Sequence, residues 1–206
     1  MKKFFTADWH LCSESVFKLG NRPFKNIDRF NDILIKNANM RASKDDIIYH
    51  IGDFYNLNKN KECKCYRLKP KCFLDRINAT MIMIEGNHDI QNKIKTVSQL
   101  LFTTIGKYNV SIGHYPSYFE YNYHKENEDV VQIPACYNNI GTNHIHICGH
   151  VHNKWKCIFD KKHNILNINV GVDVWRYNII SETDLVRYID SIIYKENNYK
   201  ISDFLH

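Results

Sequence analysis

Short apolar runs separated by amphipathic stretches set the rhythm of this chain. Lys3 to Thr6, Ile47 to Ile51, Met81 to Ile84, Val110 to Ile112, Ile145 to Cys148 and Ile165 to Val170 are brief and rich in β-branched or aromatic residues, which predicts strands. Between them, Asp28 to Met40 places Phe30, Ile33, Leu34 and Ala38 near helical spacing, with Asp28 as a cap or first-turn acid, and so predicts a helix. Less regular helical spacing covers Cys65 to Ile77 and Ile90 to Leu101, and Ser181 to Val186 opens with Ser181 and Asp184 at capping-box separation. Strands alternating with helices argue for an α/β arrangement. No repeat, linker or low-complexity block interrupts the 206 residues, a length that suits a single domain over 1–206.

Most of the predicted strands run into residues of metal-ligand type. Asp8 and His10 follow the first, Asp53 the second, Asn87, His88 and Asp89 the third, His114 the fourth, and His150 and His152 the fifth. In α/β sheets the loops beyond the carboxyl ends of the strands converge on one crevice, so distant segments can build one site. Residues i and i+2 of an extended chain point the same way, which lets Asp8 with His10, and His150 with His152, serve one region. Glycine precedes the polar residue four times, in Gly52-Asp53, Gly86-Asn87, Gly113-His114 and Gly149-His150. A residue without Cβ allows a sharp turn off a strand and a close approach of backbone to a metal or anion. Carboxylate, imidazole and amide oxygen suit Mn, Fe, Zn, Ni or Mg without any thiolate. So many ligands exceed what one ion takes, and a carboxylate such as Asp53 can bridge two ions about 3.5–4 Å apart.

Composition narrows the classes further. Hydrophobic residues at 44% and charged residues at 24% are ordinary for a globular protein. No apolar run approaches the roughly 20 residues that cross a bilayer, and Met1 to Phe5 lacks the apolar core and cleavage site of a signal peptide, so a cytoplasmic protein with no membrane association is expected. The seven cysteines are odd in number and irregularly spaced, which argues for reduced thiols. Cys63, Cys65 and Cys72 lack paired C-x-x-C spacing and a fourth ligand, and are read as free. The net charge of +6 favours anionic partners, although the basic run Lys59, Lys61, Lys64, Arg67, Lys69 and Lys71 reads as a solvated surface. No Walker loop, G-x-S-x-G elbow or H-E-x-x-H helix is present.

The order D-W-H at Asp8, G-D-F at Asp53, G-N-H-D at Asn87, G-H at His114 and G-H-V-H at His150 resembles the calcineurin-like metallophosphoesterase superfamily. Tyr49 to Phe54, His114-Tyr115-Pro116 and Asn169 to Trp175 resemble its compact bacterial and phage branch. The resemblance implies a four-layer α/β sandwich of two mixed β-sheets flanked by helices, and hydrolysis of a phosphodiester or phosphomonoester of nucleotide or nucleic-acid type by a metal-bridging hydroxide, the diester being favoured. Two divalent cations are implied, with Mn first. Asp8, His10, Asp53 and His152 would hold one; Asp53, Asn87, His114 and His150 the other. His88 would bind the phosphate or protonate the leaving group, with Asp89 orienting its ring. Asn87, His88 and Arg176 are the substrate-binding candidates, although an exposed salt bridge is the simpler account of Arg176. His50, inside a strand, reads as buried rather than ligating, and the aromatic residues from Tyr115 to Tyr123 read as packing rather than base stacking.

The branch usually continues past D-x-H with a His and an Asn, where this chain has Ser13 and Ser15, which puts the substrate contacts in doubt but no metal ligand. The competing readings are a non-catalytic metal-binding scaffold and a nucleic-acid-binding module on the same fold.

Overall fold

The structure, a computed structural model, describes residues 1–57, 62–117 and 133–195. Lys59, Lys61 and the aromatic residues Tyr118, Phe119, Tyr121 and Tyr123 lie outside the described residues. In chain order the elements are β1 (Lys3–Thr6), α1 (Val16–Leu19), α2 (Ile27–Arg41), β2 (Ile47–Ile51), α3 (Lys71–Leu74), β3 (Thr80–Ile84) and β4 (Leu100–Ile105). There follow β5 (Tyr108–Gly113), β6 (His144–Cys148), β7 (Cys157–Asp160), β8 (Ile165–Asn169), β9 (Ile180–Ser181) and α4 (Glu182–Lys195), with 3-10 turns at Ala135–Asn139 and Val172–Val174.

The strands form two mixed sheets, as expected. The first has the order β3-β2-β1-β9, with β9 antiparallel. The second has the order β4-β5-β6-β8-β7, in which β5, β6 and β8 are parallel and the edge strands β4 and β7 antiparallel. Alternation along the strands divides the apolar side chains between two layers. Phe5, Ile51 and Ile84 belong to one cluster with Val110, Ile112, Ile145, Ile147, Leu166 and Ile168 of the second sheet, joined by Leu185, Ile189 and Ile193 of α4. Phe4, Ile48 and Met83 belong to the other, with Phe30, Leu34, Ile35 and Ala38 of α2. At about 1.5–3 kcal/mol for each large apolar side chain fully buried, these layers fix the strand faces and so the register.

Register places the site. Thr6 pairs with His50, Ile51 with Ile84, Ile112 with Ile147 and Cys148 with Asn169, so the loops after β1, β2 and β3 leave one sheet at a common edge and those after β5, β6 and β8 leave the other.

The predicted helix over Asp28 to Met40 is present, but Asn26 is its cap, its Oδ1 accepting the Arg29 N–H at 2.8 Å, while Asp28 is the first-turn acid. Ser181 and Asp184 do form a reciprocal cap for α4: Ser181 Oγ accepts the Asp184 N–H at 3.1 Å and donates to Asp184 Oδ2 at 2.7 Å. Two expected helices are corrected. Only Lys71–Leu74 coils within Cys65 to Ile77. Over Ile90 to Leu101 the side chain of Asn92 donates to the His88 carbonyl, and Val97 N–H and Ser98 C=O bond to Met83 and Glu85, so local capture and sheet-edge pairing replace helical bonds. The expectation of free thiols also fails in part, because Cys63 and Cys65 are joined as a disulfide with Cα atoms 5.3 Å apart, whereas Cys72 is free and exposed. Among the described residues no helix is long and apolar enough to cross a membrane.

Candidate metal centre

The loops after β1, β2, β5 and β6 bring Asp8, His10, Asp53, His114, His150 and His152 to one place. Their backbones do not get there at ease. Asp8, His10, Asp53, His150 and His152 have φ of 58°, 47°, 58°, 70° and 49°, the left-handed region that disfavours side chains by about 1–2 kcal/mol each. Such outliers persist where the surroundings over-determine them, and they gather at functional sites. Gly52 shows what the crowding demands: at φ 82°, an added Cβ would collide with the His114 ring and lie 2.8 Å from the Gly86 Cα.

Three overlapping sets of side chains offer ligand atoms that all lie within 4.8 Å of one another: Asp8, His10 and His152; Asp8, Asp53 and His114; and His10, Asp53 and His88. The first holds three residues of one suggested ligand set and the second two of the other, Asp53 and His114; Asp8, suggested for the first set alone, lies in both clusters. Asn87 joins the second, its Oδ1 lying 3.1 Å from His114 Nε2. The ring of His150 stands edge-on to His114, with centroids 5.1 Å apart, and its backbone N–H donates to both oxygens of Asp8 at 3.0 Å. The rings of His10 and His152 are stacked at 5.1 Å. Arg176 is not drawn in: it is exposed, and its guanidinium makes no hydrogen bond with these groups among the described residues.

The donor set fits cations. His114 Nδ1 lies 2.9 Å from the Ile51 carbonyl, an acceptor, so this nitrogen carries a proton. Nε2 then faces Asp53 Oδ2 at 3.3 Å and the Asn87 oxygen, a convergence of lone pairs that a proton or a metal ion must reconcile. His10 repeats the pattern, since its Nε2 is buried without a hydrogen-bond partner 3.5 Å from Asp53 Oδ2. His152 Nδ1 is taken by Asp173 Oδ2 at 3.0 Å, which leaves Nε2 for a ligand and sets the tautomer as carboxylate–histidine pairs at metal sites do.

Electrostatics agree. Burial would raise the Asp53 pKa, yet the charge and hydrogen bond of His114, and the charge of His10, hold it well below the carboxylate range. Burial would lower that of His114, but Asp53 and Asp8 drive it up to about 10: the carboxylates demand positive charge at this point. Burial lowers His10 well below the usual range and His150 to about 3, so both rings are neutral and have a lone pair to offer.

Asp89 does something other than expected. Its carboxylate accepts the backbone N–H groups of Gly86 (2.8 Å), Asp53 (2.8 Å) and Phe54 (3.1 Å), so it ties the Asp53 loop to the Asn87 loop and does not touch the His88 ring. Gln91 takes that role, with its Nε2 2.9 Å from His88 Nδ1. The Ser13 and Ser15 hydroxyls pair with each other at 2.8 Å. His50 is fully buried, edge-on to Trp9 and Phe54 and without a hydrogen-bond partner, and burial lowers its pKa to about 3. Tyr115 is buried against Tyr137, a packing role.

Sequence reasoning missed one buried cation. Arg22 donates from Nε and Nη2 to the two oxygens of Asp173 at 2.7 and 2.9 Å, and from Nη1 and Nη2 to the carbonyls of Trp9 (3.0 Å) and Asp8 (2.5 Å). It thus clamps the Asp8–His10 loop and, through Asp173, the ring of His152. An isolated arginine before a proline carries no motif, so nothing in the sequence pointed to it.

A family model described as the calcineurin-like phosphoesterase superfamily domain matches residues 1–178. An uncharacterized protein of Methanocaldococcus jannaschii is 38% identical over 88 residues, which are 43% of this chain and 47% of that protein, so the match spans about half of that relative's length. A solved protein of unknown function from Aquifex aeolicus superimposes with a TM-score of 0.59 at 20% identity, covering 91% of this chain and 98% of its own, and so shares the fold. Yfce, a phosphoesterase from E. coli, superimposes with a TM-score of 0.40 at 14% identity over 82% of this chain and 78% of that one.

Proposed function

The chain belongs to the calcineurin-like phosphoesterase superfamily, and on that premise we propose that it is a binuclear metal-dependent hydrolase of phosphate esters of nucleotide or nucleic-acid type. The observation that carries this is the approach of Asp53 Oδ2 and Asn87 Oδ1 to His114 Nε2, at 3.3 and 3.1 Å, with His10 Nε2 unsatisfied 3.5 Å from the same Asp53 oxygen. Asp8, His10, Asp53 and His152 would hold one cation and Asp53, Asn87, His114 and His150 the other, manganese being the first choice for such oxygen and nitrogen donors. When bound, two such cations lower the pKa of a water between them and neutralise the phosphate oxygens.

The rest falls to the chain's own residues. Asp173 and Ile51 hold one nitrogen each of His152 and His114, so that Nε2 of both rings points inward. Gln91, donating to His88 Nδ1, leaves the proton of His88 on Nε2, where it can bind a phosphate oxygen and pass to the departing alkoxide. Asp89 keeps the His88 loop in register with Asp53 through three backbone hydrogen bonds. Arg22 is committed to Asp173 and two carbonyls and adds no free charge for a substrate. That suits a singly charged diester better than a dianionic monoester.

The test is hydrolysis of bis-p-nitrophenyl phosphate and p-nitrophenyl phosphate by metal-stripped protein, with and without added Mn. Manganese-dependent release, faster from the diester, is expected. Equal rates with and without metal would reject the mechanism.

A further inference from the structure

A second cluster of ligand atoms lies away from this centre, where α2 meets the segment before α3. Asp28, Cys63 and Cys65 offer a carboxylate oxygen and two sulfurs that all lie within 4.8 Å of one another. Both cysteines are buried, and Asp28 is partly exposed, so the group opens to solvent on one side. The surroundings are arranged around charge. Asp28 Oδ1 accepts the Cys65 N–H at 2.9 Å and Oδ2 the Lys64 N–H at 2.9 Å, which fixes the carboxylate as the first turn of α2 presents it. The Cys65 N–H also points at Cys63 Sγ, 3.3 Å away. An amide aimed at sulfur stabilises a thiolate, the form in which cysteine binds metals. Cys63 Sγ lies 3.3 Å from Asp28 Oδ1, a van der Waals contact for the disulfide and a distance at which the reduced thiol can donate a hydrogen bond.

We propose that, once the Cys63–Cys65 bond is reduced, Asp28, Cys63 and Cys65 form a three-ligand site for a thiophilic divalent cation of the zinc class. Three protein ligands of S, S and O type leave one tetrahedral position for water. The redox step balances simply: a phosphine attacks the disulfide, the S–S bond breaks, phosphorus leaves as the phosphine oxide with the oxygen of a water, and both sulfurs become thiols. The cation then binds with release of the two thiol protons. The site therefore exists in the reduced protein and closes when the two sulfurs pair. Cys72 is exposed and outside the cluster, and Cys12, buried against Asn31, has its thiol pushed up to about 12 by burial, so neither competes.

The binuclear centre has no sulfur ligand, which gives a readout confined to the new site. The phosphine-reduced full chain is titrated anaerobically with Co(II), and the near-ultraviolet thiolate-to-cobalt charge-transfer band is followed. The band should rise and saturate, survive Cys72→Ser, and be lost in Cys63→Ser and in Cys65→Ser. Protein reoxidised with a diazene dicarboxamide should show none, which serves as the control should a serine variant fail to fold. Asp28→Asn should move the midpoint to higher cobalt. No band in the reduced protein, or one that persists in the serine variants or after reoxidation, overturns the proposal.

Discussion

Replacing Arg22 by Met would keep much of the apolar stem and remove the guanidinium, which isolates the role of the charge. Four hydrogen bonds end on that group: two at 2.7 and 2.9 Å to Asp173 and two to the carbonyls of Trp9 and Asp8. The side chains of Arg22 and Asp173 are 0% and 1% exposed, so water cannot take over. Asp173 would retain His152 as its side-chain partner. Removing one member of a buried ion pair costs about 3–5 kcal/mol. For a chain of this size each kcal/mol lowers the melting temperature by about 2–4 °C, so a fall of about 6–20 °C is expected. Urea unfolding of the wild type, Arg22→Met, Asp173→Asn and the double variant would measure the coupling, and the double variant should be less destabilised than the sum of the two. A loss under about 1 kcal/mol, the range of exposed pairs, would refute the clamp.

Two further outcomes follow from the same geometry. His88→Ala should leave the bound metals in place and slow hydrolysis by about 10²–10⁴, the usual share of a positioned acid; metal loss in that variant, by elemental analysis, would make His88 a ligand. Asp46 accepts hydrogen bonds from Ser43 N–H, Lys2 N–H and the Ser43 hydroxyl, which lower its pKa from 3.8 to about 2. Because the folded value is the lower one, this stabilisation is present above pH 3.8 and is lost as the pH falls through about 2. The urea-midpoint gap between wild type and Asp46→Asn should therefore narrow over that interval, and a gap that stays constant would contradict the assignment.

What could be read from the sequence depended on whether residue type alone carried the information. β1 and β2 were visible to the residue because their apolar runs are bounded by polar motifs. The second sheet's edges were not: β4, LLFTTI, is half-buried or exposed at every position but Ile105, and β7, CIFD, is half-buried throughout, so neither shows the contrast that marks a strand. The candidate ligands could be picked out because metal chemistry restricts their types. Their supports could not. Gln91 acts through a local bond to His88, three residues away, that no motif marks; Arg22 acts through bonds set by tertiary packing, and Asp89, adjacent to His88 in sequence, turns away to three backbone amides. The Cys63–Cys65 pair and Asp28 meet across 35 residues of chain, a proximity that no spacing rule predicts.

In the proposed function Asp53 would hold both cations. Elemental analysis of manganese-loaded protein, wild type beside Asp53→Asn, decides whether it does. About two metals per chain in the wild type, falling together in the variant, is the predicted result. No retained metal in the wild type, or a variant that still holds both ions, would contradict it.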